Sequence, residues 1–273
     1  MELLRPSDVE DTDGGVFIHG GTEVVPLLRD GIIKTEILVD VRKIVPHGID
    51  GTSIGAGTTL GELEADPQIP EALREACRLA ASPALRNMGS VGGNLLQATR
   101  CWYWRLKFPC RLHGGDQCHA REGEHREHAI FANDFCASAH PSDVAAALIA
   151  LGAALRTNRR ELPVADLFRL PTEDNRDVTT LEPGELMLEL DVPQPQASTY
   201  LKAMDRQRWA FPLVGVAAAR SLDGTRLVLA GVAPIPWVLD SPEAIEEATP
   251  LPGTAYKVEI ARALVRRALE AVG

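Results

Sequence analysis

The stretch of this sequence with the most reactive side chains runs from residue 100 to residue 136 and holds four of the five cysteines. These four are Cys101, Cys110, Cys118 and Cys136. Four thiolates are what a [4Fe-4S] cubane requires, one for each iron. Zinc is the competing metal, either with the four thiolates or with histidines of the same stretch, although no two cysteines are spaced as in a zinc knuckle. A metal-free segment with free or disulfide-bonded cysteines is the third alternative.

The residues around these cysteines suit an anionic cluster. Basic residues are frequent in the stretch, and we expect them to offset the charge of the thiolates: Arg100, Arg105, Lys107, Arg111, Arg121 and Arg126. Gly114 and Gly115 are expected to turn backbone N–H groups toward sulfur. The aromatic run Trp102 to Trp104 is expected to shield the site from water. The fifth cysteine, Cys77, falls on the apolar face of a predicted helix and is expected in the core.

Two glycine pairs offer a second kind of chemistry. One follows an apolar strand in FIHGGTEV, and the other lies in SVGGN at residues 90 to 94. Paired glycines allow backbone N–H groups to approach an anion closely, and two such loops suit a pyrophosphate. Neither loop has the G-x-G-x-x-G or P-loop pattern, so a Rossmann site and a P-loop are poorly supported. Taken alone, each pair is more typical of a simple turn.

The elements that carry these loops form three segments. The first predicts a strand, a glycine turn, a short helix and a strand through EILVDVRKI. The second predicts a strand in TSIGAG, a helix behind Pro70, and a helix in PSDVAAALIALG with Ser142 as its cap and Asp143 in its first turn. From about Leu181 the pattern changes to strands, with a hairpin signal at Asp223 and Gly224 and a closing amphipathic helix.

Composition excludes several functions. The chain has 273 residues and a formal net charge of -10, which disfavours nucleic acid or an anionic membrane surface as its main partner. No apolar run approaches the ~20 residues that cross a bilayer, and no signal peptide is recognised at the start. The odd number of cysteines suits a reducing compartment. A cytoplasmic location is therefore expected, while export together with a signal-bearing partner subunit stays open.

Several motifs, in this order along the chain, resemble one family: GGTEVVPLLRDG, IGAGTTLGELEAD, ASPALRNMGSVGGNLLQ, HPSD and LAGVAPIPW. That family is the FAD-binding subunit of the molybdenum hydroxylases, or xanthine dehydrogenase family. The resemblance implies an α+β chain. Its first part is a vanillyl-alcohol-oxidase-like (PCMH-type) FAD-binding domain over residues 1–172, in two α/β parts of about 1–50 and 51–172. A C-terminal domain with a small antiparallel sheet and helices then occupies residues 173–273.

The resemblance also implies which residues bind FAD. The first glycine loop contributes Phe17, Ile18, His19, Gly20, Gly21, Thr22, Glu23 and Val24. The second contributes Ser90, Val91, Gly92, Gly93 and Asn94. Four further positions match the family in other elements: Ala80, Asp143, Met187 and Lys202. No residue is expected to act as a catalytic acid or base, because the protein's role toward a flavin is binding and electronic tuning.

The cysteine-rich stretch resembles an insertion found in only some of these subunits. The 4-hydroxybenzoyl-CoA reductases and certain bacterial aldehyde oxidoreductases carry a [4Fe-4S] cluster at this place, which implies Cys101, Cys110, Cys118 and Cys136 as its ligands. The implied function is an electron-transfer subunit. A large molybdenum-cofactor subunit would convert an aldehyde, a purine or an aromatic acyl-CoA, and a small [2Fe-2S] subunit would connect it to FAD, in a heterotrimer or a dimer of heterotrimers.

Two other classes of function remain open from the sequence alone. A free-standing flavin oxidase would use the same glycine loops but would need acid–base groups over the flavin, and the sequence offers no such set. A redox-sensing binding module would use the cysteine loop without any flavin. The visible absorption spectrum of the purified protein distinguishes these three functions.

Overall fold

The first unit of the fold is a small parallel sheet in the strand order β1-β3-β2. The computed structural model describes residues 1–12, 14–206 and 209–273. The strands are β1 (Glu2–Leu4), β2 (Val16–Ile18) and β3 (Ile37–Asp40), and helix α1 (Val24–Arg29) joins β2 to β3. Parallel neighbours require a crossover connection, and the glycine turn with α1 supplies it. The predicted succession of strand, glycine turn, helix and strand is confirmed.

The second unit contains a five-stranded antiparallel sheet in the order β4-β5-β8-β6-β7. Its strands are β4 (Ile49–Asp50), β5 (Ser53–Gly55), β6 (Ala154–Thr157), β7 (Glu161–Pro163) and β8 (Met187–Asp191). The central strand β8 comes from beyond residue 172. The next strand begins at Ala197. The expected boundary at residues 172 and 173 stays a prediction.

Helices cover this second unit. They are α2 (Leu60–Ala65), α3 (Glu71–Ala80), α4 (Pro83–Arg86), α5 (Val91–Leu95) and α8 (Asp143–Ala150). Helix α2 begins with a capping box between Thr59 and Glu62. Every residue of α8 is buried, which explains why its sequence is apolar all round, and Ser142 caps it as predicted by accepting a hydrogen bond from the N–H of Ala145 at 3.0 Å.

The cysteine-rich segment, residues 100–136, has little regular structure. It contains two short helices, α6 (Trp102–Arg105) and α7 (His119–Glu122), and a 3-10 turn over Arg111–His113. Its end lies against the C-terminal part, because the N–H groups of Ile130 and Phe131 both donate to the carbonyl of Val232, at 2.7 and 3.0 Å. The cysteine-rich segment therefore contacts the C-terminal part as well as the second unit.

The C-terminal part is a four-stranded antiparallel sheet in the order β12-β11-β10-β9, packed against a long helix. The elements are β9 (Ala197–Ala203), β10 (Val214–Ser221), β11 (Gly224–Ala230), β12 (Trp237–Leu239) and α9 (Tyr256–Val272). The β10–β11 hairpin closes where Ser221 pairs with Gly224, whose φ of +120° favours glycine. This arrangement confirms the predicted fold class. Within the described residues, no helix is both long enough and apolar enough to span a lipid bilayer.

Candidate functional site

The first glycine loop connects β2 to α1 and presents free backbone donors. Within the described residues, no hydrogen bond is made by the N–H groups of Gly20, Gly21 or Thr22. A Cβ atom at Gly20 would lie 1.8 Å from the carbonyl oxygen of Met88, so only glycine fits there. Gly21 has a φ of +71°, which a side chain would strain. The loop therefore packs tightly on one side and leaves its donors free for an anion on the other.

The second glycine loop forms the start of helix α5, and the N–H groups of its two glycines already have hydrogen-bond partners within the protein. The N–H of Gly92 donates to the carbonyl of Ala56 at 3.0 Å, and the N–H of Gly93 donates to the Ser90 hydroxyl at 3.2 Å. A Cβ atom at Gly92 would lie 3.1 Å from that same Ala56 oxygen. The glycines here allow α5 to approach the five-stranded sheet closely, and they close the cavity opposite the first loop.

Two adjoining clefts lie between these loops. The first cleft has a volume of about 780 Å³ and the second about 530 Å³. The first cleft is lined by Phe17, His19, Gly20, Gly21, Thr22, Glu23, Val24, Val41, Val45, Ala56, Ser90, Gly92, Gly93, Leu96, Glu185, Leu186 and Met187. The second is lined by Thr22, Glu23, Leu60, Ala80, Ala81, Leu85, Gly89, Ser90, Gly93, Asn94, Gln97, Arg100 and Phe211. Four residues are common to both, so the glycine loops form the junction of one extended groove.

Most of the predicted FAD residues line this groove, and four do not. Ile18, Val91, Asp143 and Lys202 are absent from both linings. Val91 is fully buried in the core of the second unit. Several residues of the groove had no sequence signal, because Val41, Val45 and Leu186 are apolar side chains that sequence patterning assigns to the core.

His19, which is half-buried, lines the first cleft. The Nδ1 atom of His19 is buried and has no hydrogen-bond partner in the described residues. Burial lowers the pKa of the His19 imidazole, and the neighbouring Arg42 guanidinium contributes to the lowering. A neutral imidazole can accept or donate one hydrogen bond, and a buried nitrogen without a partner is costly. The cleft therefore holds a polar group that a bound molecule would satisfy.

Asp143 and Lys202 are joined in a buried ion pair. Lys202 Nζ lies 2.8 Å from Asp143 Oδ2, and the two side chains are 0% and 1% exposed. The Tyr200 hydroxyl donates to the other Asp143 oxygen, and Lys202 Nζ also donates to the carbonyl of Leu79 at 2.8 Å. Burial raises the pKa of the Asp143 carboxyl, while Lys202 and Tyr200 oppose that rise. The pair connects α8 to β9 directly behind Ala80, which lines the second cleft.

Sequence reasoning missed Tyr200, although a signal for it exists. Residues i and i+2 of a strand point to the same face, so Tyr200 and Lys202 lie side by side on β9 and both reach Asp143. Burial raises the pKa of the Tyr200 phenol well above its usual range, so it remains a donor to the carboxylate at neutral pH.

The four cysteines of the cysteine-rich segment line one small cavity of about 290 Å³. All four are free thiols in the structure. Within the described residues, no three His, Cys, Asp or Glu side chains are arranged as a group able to hold a metal ion. Cys77 lies fully buried in α3, as predicted, and burial raises the pKa of its thiol. The sequence thus identified the cysteines that come together.

Two polar side chains contact these thiols. His128 Nε2 lies 3.2 Å from Cys101 Sγ, and the Cys136 thiol donates to the Ser138 hydroxyl at 3.3 Å. Burial lowers the pKa of His128 to about 4, with Lys257 and His125 contributing, so this imidazole is neutral at pH 7. Burial also raises the pKa of Cys101 to about 11 and that of Cys136 to about 12. The Cys101 and Cys136 thiols are therefore protonated at neutral pH.

Among the described residues, the hydrogen bonds of these basic side chains go to oxygen and not to sulfur, and the expectation that their charge offsets the thiolates stays a prediction. Arg111 and Arg121 donate to backbone carbonyls, and Arg126 pairs with Asp205 at 2.6 Å. The N–H of Gly115 donates to the Cys110 carbonyl at 2.9 Å rather than to a thiol. In an irregular loop, backbone carbonyls need donors, and the arginines satisfy them. Tyr103 and Trp104 do line the cysteine cavity, as expected of the aromatic run.

A third cavity, of about 930 Å³, lies between the cysteine-rich segment and the C-terminal part. It is lined by Cys101 and His128 on one side and by Arg100 and Phe211 on another. Arg100 and Phe211 also line the second cleft, and the Arg100 guanidinium lies 4.8 Å from the centre of the Phe211 ring. Arg100 and Phe211 therefore lie between the groove and the cavity beside Cys101 and line both.

Comparison with known proteins agrees with this geometry. Residues 7–195 match the family described as the FAD binding domain in molybdopterin dehydrogenase. The aldehyde oxidoreductase FAD-binding subunit PaoB of Escherichia coli strain K12 is 35% identical over 250 residues, covering 85% of this chain and 79% of that protein. The nicotinate dehydrogenase FAD-subunit of Eubacterium barkeri is 29% identical over 112 residues, covering 35% of this chain and 38% of that protein.

The fold is also found in solved structures. A chain of the cyanide-inactivated copper- and molybdenum-containing CO dehydrogenase superposes with a TM-score of 0.70, at 22% identity, over 99% of this chain and 96% of that one. The family match covers more than half of the chain. The chain belongs to the FAD-binding domain family of molybdopterin dehydrogenases and is an electron-transfer flavoprotein subunit, an oxidoreductase component of the molybdenum hydroxylase type.

Proposed function

We propose that FAD lies along the two clefts, with its pyrophosphate at the first glycine loop. The free N–H groups of Gly20, Gly21 and Thr22 carry this proposal, because a dinucleotide pyrophosphate needs closely spaced backbone donors. FAD supplies one- and two-electron exchange when it is bound. The residues proposed to bind it are Phe17, Ile18, His19, Gly20, Gly21, Thr22, Glu23, Val24, Ala80, Ser90, Val91, Gly92, Gly93, Asn94, Asp143, Met187 and Lys202.

These residues are proposed to act in four ways. The first loop donates to the pyrophosphate, while Phe17 and Met187 exclude water from the first cleft. His19 offers its unpartnered nitrogen to the ligand. The buried pair of Asp143 and Lys202 supports the wall of the second cleft behind Ala80.

The proposed partners are a small [2Fe-2S] subunit and a large molybdenum-cofactor subunit, assembled as a heterotrimer or a dimer of heterotrimers. The matches to FAD subunits of an aldehyde oxidoreductase and a nicotinate dehydrogenase support this assignment. Aldehydes, purines or aromatic acyl-CoA compounds are the proposed substrate classes of the complex, converted on the molybdenum subunit. The proposed location is cytoplasmic, since free thiols suit a reducing compartment.

The assembly is tested by measuring turnover with and without the partners. The isolated chain is expected to bind FAD without oxidising any of the three substrate classes, and co-expression with both partner subunits is expected to give a complex that turns over one of them. Reduction of bound FAD by one of these substrates in the isolated chain would contradict the subunit assignment, because it would require a substrate site within this chain.

We also propose that Cys101, Cys110, Cys118 and Cys136 bind a [4Fe-4S] cluster. The four cysteines line one cavity, which supports this proposal. A cubane needs one thiolate for each iron, so its four ligands do not have to surround a single ion. The protein residues would hold the cluster through the four sulfurs, with His128 and Ser138 as hydrogen-bonding neighbours. The raised thiol pKa values imply that cluster binding releases protons.

Metal analysis of cysteine variants tests the cluster. Single Ser substitutions at the four positions are expected to reduce iron and acid-labile sulfide, whereas Cys77→Ser, the matched control, leaves both unchanged because Cys77 lies in the core. About four irons per chain, with an electron paramagnetic resonance signal after reduction, is the result expected of a cubane. About one zinc per chain, or four thiols that react with a thiol reagent without metal, would contradict the proposal.

A further inference from the structure

Glu23 places a carboxylate inside the groove proposed for an anionic cofactor. It follows Gly20, Gly21 and Thr22, directly precedes α1, and lines both clefts. Its side chain is 17% exposed. An uncompensated carboxylate beside a pyrophosphate would repel it, and the low polarity of a partly buried site strengthens that repulsion. A FAD site with this residue therefore requires a specific source of positive charge.

That charge comes from the beginning of the cysteine-rich segment. Arg100 Nη1 lies 2.6 Å from Glu23 Oε2, and Arg105 Nη2 lies 2.6 Å from Glu23 Oε1. The N–H of Ala98 donates to the same Oε1 at 3.2 Å. The carboxylate thus receives three donors from a stretch of eight residues, which is the geometry of a charge-assisted network rather than a loose surface pair.

Both arginines are themselves held in place. Arg100 Nη2 donates to the Gln97 side-chain oxygen at 2.8 Å, and Arg105 Nε donates to the Thr99 carbonyl at 2.9 Å. Their side chains are 28% and 19% exposed. Cys101, whose thiol lines the cysteine cavity, lies between them at the start of α6. The residues that neutralise Glu23 therefore also position one of the four cysteines.

We propose that Arg100 and Arg105 are positioning residues for FAD, which neutralise Glu23 and make FAD affinity depend on the folded state of the cysteine-rich segment. This inference rests on the proposed course of FAD along the two clefts. It does not require a cluster to be present, because the contacts form with the cysteines as free thiols. Since linkage is reciprocal, bound FAD in turn stabilises this segment.

The test is a double-mutant cycle on FAD affinity in the full-length chain, measured by flavin fluorescence titration. Arg105→Met is expected to weaken FAD binding about tenfold or more, because Glu23 loses one of its two charged partners. Glu23→Gln is expected to tighten it, because a negative charge is removed from the groove. The double variant is expected to return to within about threefold of the wild type. A purely structural arginine would not be rescued by the second substitution.

Two controls make the outcome decisive. Arg126→Met alters an arginine of the same segment that pairs with Asp205, and it is expected to leave FAD affinity unchanged. Gly21→Val tests the proposed course of FAD itself. If Gly21→Val abolishes FAD binding while Arg105→Met has no effect, the proposed role of Arg105 is refuted. The proposed position of FAD in the groove is then retained. If both variants bind FAD like the wild type, the groove assignment fails as well.

A second readout checks the linkage. FAD is expected to slow proteolysis within residues 100–136 of the wild type, and to do so less in Arg105→Met at equal FAD saturation. Equal protection in both proteins would contradict the coupling.

Discussion

Replacing Lys202 by Met is expected to destabilise the protein strongly at neutral pH and weakly at acidic pH. The substitution keeps the apolar stem but removes the ammonium that lies 2.8 Å from Asp143 Oδ2, with both side chains at 1% exposure or less. Removing one partner of a buried ion pair costs about 3–5 kcal/mol. The remaining carboxyl would have the Tyr200 hydroxyl as its side-chain partner.

The pH dependence follows from protonation of Asp143. In the variant, the carboxyl is buried without a cation, which raises its folded-state pKa further. The unfolded chain, in which this carboxyl has a pKa of about 3.9, holds no proton there at neutral pH, whereas the folded protein does. A group whose folded-state pKa is raised contributes stability that is lost as pH rises. Keeping the carboxyl protonated therefore costs about 4 kcal/mol at pH 7 and about 1.5 kcal/mol at pH 5, from 1.36 kcal/mol per unit.

The assay is thermal unfolding followed by circular dichroism at pH 5, 6 and 7, with and without FAD. At about 2–4 °C per kcal/mol, the midpoint falls by about 8–16 °C at pH 7. Lys43→Met, at an exposed lysine, is the matched control, and Asp143→Asn combined with Lys202→Met is expected to remove the pH dependence. The reasoning is refuted if the FAD-free variant unfolds like the wild type and only FAD affinity changes, because Lys202 would then act on the cofactor and not on the fold.

Three further predictions concern the loops and the buried bases. Gly21→Val and Gly92→Val are each expected to give folded protein without FAD, measured by flavin content, and stoichiometric FAD in both would contradict the groove. Burial lowers the pKa of Lys257 to about 7. The free energy of unfolding is therefore expected to rise by up to about 1.4 kcal/mol per pH unit from pH 7 to 8.5, and Lys257→Met is expected to abolish that rise. If the proposed [4Fe-4S] cluster is bound, His128→Leu is expected to lower its reduction potential in a redox titration, because a hydrogen bond to Cys101 sulfur is lost, and an unchanged potential would refute this.

The parts of the fold that the sequence predicted are those with a local signal. Glycine after an apolar strand predicted the turn before α1, and Ser142 predicted the start of α8. Strand β8 pairs between β5 and β6, which are far from it in the chain, and no local pattern encodes that partnership. The position of β8 in this sheet therefore became visible only in three dimensions.

The candidate site shows the same limit at the level of side chains. The cysteines could be grouped from their types alone, since four thiols in one loop of a chain with five are unusual. The hydrogen-bond partners of the arginines could not be predicted, because a guanidinium can donate to a thiolate, a carboxylate or a carbonyl, and the sequence does not show which of these lies nearby. In the structure, Arg100 and Arg105 pair with Glu23. Arg111 instead donates to backbone carbonyls.

The positions of Arg100 and Lys202 explain why the groove lies at the junction of all four parts of the chain. Glu23 belongs to the first unit, Arg100 to the cysteine-rich segment, and Phe211, over which the Arg100 guanidinium lies at 4.8 Å, to the C-terminal part. On the other side of the second cleft, Lys202 of the C-terminal sheet is paired with Asp143 of the second unit. Each wall thus depends on a charge supplied by a different part, and a charge left unpaired in a buried site is costly. Because the groove is built from all of these parts, FAD bound in the proposed groove is expected to stabilise the whole chain rather than one domain.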